Sequence, residues 1–203
     1  MANQGSLIAL ILLSCLVAIC YGTVSFSSLQ RTLIVTGSPQ TGQVLKGGVD
    51  KITVTWSYNT SFPAGTDSSY KKVKIMLCYA PISQEERAWR KTEDHLNKDK
   101  TCQHKILTTP YKPSNNTLTW TVEKDIPTAT YFIRAYVLDS HDKELTYGQT
   151  TNTEKTANLF DVLAVSGRHL SLDIASVCFS AFSVVSLFVF FFLEKRKAKS
   201  QTK

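Results

Sequence analysis

The chain has 203 residues, 43% of them hydrophobic, with 23 Lys+Arg against 16 Asp+Glu and a formal net charge of +7. Four of those charges sit in the last ten residues, where five basic side chains meet one acid, and residues 23–173 carry 18 basic against 15 acidic groups. The basic balance therefore records a short C-terminal tail and leaves no nucleic-acid footprint on the rest of the chain.

In chain order, Leu7–Cys20 is an apolar stretch of fourteen residues, followed by small residues near Gly22. It is too short to span a bilayer comfortably and predicts a secretory signal peptide over residues 1–22, although its first six residues hold no Lys or Arg. Residues 23–170 are expected to form one extracellular domain, enough chain for one core and not two. Its dominant period is two. Ile52–Tyr58 alternates apolar and polar residues, and Val73, Ile75, Leu77 and Tyr79 form a second stripe. Leu118, Trp120 and Val122 form a third, and Tyr131–Leu138 a fourth. Leu33–Thr36, Gln43–Lys46 and Asn158–Val165 are predicted edge strands, separated by Gly/Pro-rich turns. About seven such strands predict an all-β, antiparallel immunoglobulin/fibronectin III-like sandwich, with Trp56 buried and Ile126–Tyr131 forming a tyrosine corner.

Alternation stops over residues 81–105. Ser83-Gln-Glu-Glu86 reads as a capping box opening a short helix, on which Glu86 and Arg90 stand one turn apart. The remainder, including Arg90–Asp94 and Asn97–Lys100, is highly charged. Of five cysteines, Cys15 and Cys20 belong to the signal peptide and Cys178 to the C-terminal apolar run. Cys78 and Cys102 remain, an even pair in an oxidising compartment, and predict a disulfide tying a helical insertion to the sandwich. A metal site built on Cys102 with His95 and His104 is the weaker reading, because Cys78 stands alone. A tethered polar loop on a rigid scaffold is a natural place for binding residues. Sequons at Asn59 and Asn115 predict N-glycosylation.

Ile174–Leu193 is twenty uncharged residues, about 30 Å as a helix and so the thickness of a bilayer core. The basic residues 194–203 place the C-terminus in the cytoplasm and predict a single-pass type I protein touching membrane lipid. Ser176, Ser180 and Ser183 recur on one helix face and suit close helix packing. The chain lacks a nucleophile elbow, a His-Glu-x-x-His pair, a phosphate-cradling glycine loop and EF-hand spacing, so no enzyme, cofactor or metal is expected.

Ile52-Thr-Val-Thr-Trp56, Lys72–Ile75 with Leu77-Cys-Tyr79, Trp89-Arg-Lys91, Lys98-Asp-Lys-Thr-Cys102, Thr130–Ala135 and Tyr147-Gly148 occur in this order, ahead of one C-terminal span. Over residues 30–193 the chain resembles the plant high-affinity nitrate transporter-activating (accessory) proteins. The resemblance implies a non-catalytic subunit that binds a multi-spanning nitrate transporter of the major facilitator superfamily as a hetero-oligomer. It implies that this subunit enables the transporter's placement and activity at the plasma membrane. It carries partner binding to Arg90 and Asp99, with Trp89, Lys91, Lys98 and Lys100 beside them. The alternative is a single-pass receptor or adhesion module for an extracellular ligand, which a ten-residue tail suits poorly.

Overall fold

The computed structural model describes residues 24–114, 116–167 and 170–201. The predicted signal peptide and Asn115 lie outside the described residues. The chain divides into two units, residues 1–164 and 165–203.

Among the described residues, nine strands build the first unit: β1 (Leu33–Gly37), β2 (Val44–Lys46), β3 (Lys51–Tyr58), β4 (Lys72–Tyr79), β5 (His104–Pro110), β6 (Asn116–Thr121), β7 (Ala129–Leu138), β8 (Glu144–Gln149) and β9 (Phe160–Leu163). One sheet has the order β1-β3-β6, and the other β2-β9-β7-β4-β5 with β8 also paired to β7. All pairings are antiparallel except β2 with β9. The sandwich expectation holds, with two strands more than predicted. β5 hides in a segment whose polarity resembles a loop, and β8 carries Gly148 in its interior. A Cβ at Gly148 would lie 2.5 Å from the Leu33 carbonyl oxygen and 2.8 Å from Val35 Cγ2. Only glycine lets β8 pass β1 this closely.

The period-two pattern has its expected consequence. Leu33, Val35, Ile52, Val54 and Trp56 face Val73, Ile75, Leu77, Tyr79, Tyr131, Ile133 and Val137 in one core between the sheets. Trp56 is buried, and the Tyr131 hydroxyl donates to the Pro127 carbonyl at 2.7 Å, closing the tyrosine corner. β7 departs from simple alternation, because all eight residues from Tyr131 to Leu138 are buried. Its second face belongs to another apolar cluster, Met76, Cys78, Phe132, Tyr136 and Leu138, capped by Phe26, Leu29, Leu96, Cys102, Tyr147 and Leu159. The six-stranded sheet is therefore covered on both faces: by its partner sheet inside, and by the N-terminal segment and the insertion outside.

The second unit contains one helix, α1 (Leu170–Gln201). Its stretch Leu170–Lys197 is long and apolar enough to cross a membrane. The helix continues past Leu193 through the basic residues as far as Gln201.

Candidate functional site

The insertion leaves the sandwich after Tyr79 and Ala80, both buried, and returns at Cys102, whose disulfide to Cys78 bridges Cα atoms 4.0 Å apart. The capping-box helix does not form. Two single 3-10 turns take its place, Pro81–Ser83 and Ala88–Arg90. Pro81 sets the first turn, and Glu86 lies in the left-handed region at φ 56°, which ends any helical run. Ser83 Oγ is turned toward β7, where it accepts the Thr130 N–H at 2.7 Å in place of the expected cap bond. The expected Glu86–Arg90 pair is also replaced. Arg90 turns inward, 7% exposed, with its guanidinium carbon 4.2 Å from the Tyr79 ring centroid and Nη1 donating to the Ser83 carbonyl at 3.2 Å. Its Nε is buried without a hydrogen-bond partner. Stacking over an aromatic face in a dry setting is what keeps such a cation in place.

Asp99 is the second organiser. Its Oδ1 accepts from the Glu93 N–H at 3.2 Å, the Thr101 N–H at 3.1 Å and the Thr101 hydroxyl at 2.6 Å. Gln84 does similar work, donating to the Tyr79 carbonyl at 3.0 Å and accepting from the Thr92 hydroxyl at 2.8 Å. The Lys100 N–H donates to the Lys91 carbonyl. The disulfide expected to tie the insertion to the sandwich is present, and it does not act alone. The insertion is also pinned by this network and by Leu96, which packs against the outer cluster.

With Arg90 and Asp99 directed into the domain, the residues displayed outward are Trp89, 62% exposed, and the exposed Lys91, Lys98 and Lys100. Lys91 pairs with Glu93 at 2.7 Å. Hydrogen bonding to Glu93 raises the Lys91 pKa, and the same contact lowers that of Glu93. The exposed indole stands among exposed charged residues of the insertion, Arg87 and Lys91 nearest to it in sequence.

Sequence reasoning missed the platform beneath this display. Arg134 is 1% exposed; its Nε and Nη2 donate to Gln149 Oε1 at 3.1 and 3.0 Å, and Nη1 donates to the Tyr136 hydroxyl at 2.9 Å. Its guanidinium carbon lies 4.3 Å from the Phe26 ring centroid and 5.2 Å from that of Phe132. The Tyr136 hydroxyl in turn lies 4.0 Å from Cys102 Sγ, at the disulfide. The signal available was a single basic residue inside the apolar run Tyr131–Leu138. The N-terminal segment joins the same assembly. Asp94 accepts from the Ser25 hydroxyl and, at 2.8 Å, from the Ser27 N–H. The Ser25 and Ser27 bonds lower the Asp94 pKa.

His104, suggested as a weak metal ligand, instead bonds the Tyr79 hydroxyl through Nε2 at 3.0 Å, and burial lowers its pKa. Among the described residues, no three His, Cys, Asp or Glu side chains are grouped to hold a metal ion. On α1, Ser176, Ser180 and Ser183 are all exposed.

Residues 26–167 match the family model described as the Ig-like domain of the high-affinity nitrate transporter accessory proteins. The chain belongs to this family. It is 49% identical over 206 residues to "High-affinity nitrate transporter 3.1" of Arabidopsis thaliana, covering 98% of each chain. It is 46% identical over 174 residues to "High-affinity nitrate transporter-activating protein 2.1" of Oryza sativa subsp. japonica, covering 86% of this chain and 82% of that one. Family membership favours the accessory reading over that of a ligand receptor.

Proposed function

We propose that this protein is a non-catalytic accessory subunit that binds a multi-spanning high-affinity nitrate transporter. The transporter is one of the major facilitator superfamily, and the pair forms a hetero-oligomer at the plasma membrane, where the subunit enables placement and nitrate uptake. The observation that carries the reading is the display of Trp89 on a rigid, disulfide-tied insertion in a chain of this family. Trp89 supplies an aromatic anchor of the kind that dominates interfaces. Lys91, Lys98 and Lys100 complement acidic groups on the transporter's outer loops. Arg90 and Asp99 serve the same contact by fixing the backbone that presents it. Residues 1–22 are removed as a signal peptide, residues 23–170 face outward, residues 174–193 span the bilayer and residues 194–203 lie in the cytoplasm. Glycans occupy Asn59 and Asn115, and the Ser176, Ser180 and Ser183 face packs beside a transporter helix. No cofactor takes part.

The test is co-expression with a high-affinity nitrate transporter, reading co-purification, surface delivery and uptake. Asp99→Asn replaces a charged acceptor with a weaker neutral one for the Glu93 and Thr101 bonds, so it loosens the presenting loop while leaving the domain folded. Trp89→Ala and Asp99→Asn should each reduce pairing and uptake. Undiminished pairing with both variants overturns the assignment of this surface.

A further inference from the structure

The two ends of the sandwich differ in kind. At one end β3 closes at Tyr58 with Asn59 next, and β6 opens at Asn116, which pairs with Trp56. Asn59 therefore belongs to this end, together with the connection 59–71 and the turn 139–143. At the other end β9 finishes at Leu163, and α1 begins at Leu170 after a short connection. The turn after β2 docks there, with the Gly47 N–H donating to the Leu163 carbonyl at 2.9 Å and the Gly48 N–H to the Val122 carbonyl at 2.7 Å.

This second end is apolar where a solvent-facing end would be polar. Apart from Ile34 and Trp89, the exposed large apolar side chains of described residues 24–164 are Val44 (50%), Val49 (68%), Ile82 (63%) and Leu163 (45%). All four lie here. Val44, Ile82 and Leu163 line one groove with Arg87 and Thr128, and Val49 tips the adjoining turn. Exposed charges of both signs surround them, Lys46, Arg87 and Lys124 with Glu86, Glu123 and Asp125, and the aliphatic stem of Lys124 lies against Gly48.

We infer that this end is a membrane seat: Val44, Val49, Ile82 and Leu163 enter the headgroup layer of the bilayer that α1 crosses. The occupant is identified by connectivity. The end that leads into the membrane helix through a short connection is the one carrying apolar tips, and Asn59 lies at the opposite one. Aliphatic tips beside long basic side chains suit that layer: the Lys46, Arg87 and Lys124 stems rest on apolar surface with their heads toward phosphates, while the neighbouring carboxylates stay in the water above. The seat requires no transporter, so it stands or falls separately from the proposed pairing. Its consequence for function is orientation, because it fixes the height at which the insertion is held above the bilayer.

The full chain, with Cys15, Cys20 and Cys178 replaced by Ser and the Cys78–Cys102 disulfide intact, is reconstituted alone in phosphatidylcholine vesicles. Single cysteines at Val49→Cys, Ile82→Cys and, at the far end, Thr66→Cys are labelled with an environment-sensitive fluorophore. Labels at 49 and 82 should be blue-shifted, shielded from iodide and quenched by lipid carrying a nitroxide near the headgroup, while the label at 66 stays aqueous. Equal iodide access at all three sites overturns the seat. So does shielding of all three alike, and so does shielding at 49 and 82 that arises only after a transporter is added, which would make this end a protein interface.

Discussion

Replacing both Cys78 and Cys102 with Ala should open the insertion before it damages the sandwich. The bridge joins residues 24 apart. In the chain-entropy account, freeing a loop of that size costs about 3.5 kcal/mol at 25 °C. For a domain of this size each kcal/mol moves the melting temperature by about 3–4 °C, so the midpoint should fall by roughly 10–14 °C. The loss is local in origin: Leu96 and the disulfide leave a cluster whose Phe132 and Tyr136 are then uncovered. Limited proteolysis of the full chain in detergent, with a protease cutting after Lys and Arg, reads this directly. Cleavage at Arg87, Lys91, Lys98 and Lys100 should accelerate well before cleavage at Lys72 or Lys74 in β4. If those four sites keep wild-type resistance and the midpoint falls by only a degree or two, the Asp99 and Gln84 network holds the insertion unaided. The disulfide would then be dispensable for its order, and the entropic reasoning refuted.

Gly148→Ala should destabilise the domain by about 2–3 kcal/mol or block folding, because its Cβ meets the Leu33 backbone and not a flexible tip; the chemical-denaturation midpoint measures this. Arg134→Met should cost about 2–3 kcal/mol in the same assay, since Gln149 Oε1 and the Tyr136 hydroxyl lose their buried donor. His104 gives a pH signature. Its folded pKa is lowered by burial, so the folded state resists protonation, and its contribution is complete above the ordinary value of 6.5. That contribution is lost as pH falls from 6.5 through the folded value, and His104→Gln should flatten this part of the stability profile.

The sandwich was legible because its core strands obey period two, as in Ile52–Tyr58, and because its turns carry glycine and proline. The outer face was not. Met76, Phe132 and Tyr136 sit at positions that alternation assigns to solvent, and only the insertion folded back over them explains their burial. Periodicity is a local signal, whereas this cover comes from residues as distant as Phe26 and Leu96. The insertion misled for a related reason. Ser83-Gln-Glu-Glu86 has a capping-box composition, but Ser83 Oγ is claimed by Thr130, forty-seven residues away. Tertiary bonding therefore outweighed a helix start worth about 1 kcal/mol. The charged blocks around Arg90 and Asp99 were legible as a location, though not as a division between residues facing in and residues facing out.

That division bears on how a small subunit acts on a large partner. Arg90 over Tyr79, Asp99 on Thr101 and Arg134 beneath the disulfide remove conformational freedom from the segment that carries Trp89 before any partner arrives. Association then costs less ordering entropy at this surface than a free loop of equal composition would require. In the proposed complex α1 confines the domain to the plane of its partner, and each added restraint on height and tilt raises the effective concentration further. A membrane seat at Val49 and Ile82 is such a restraint. Under that proposal, contacts as few as one indole and three lysines can be sufficient, because position, orientation and loop shape are fixed by the subunit's own fold.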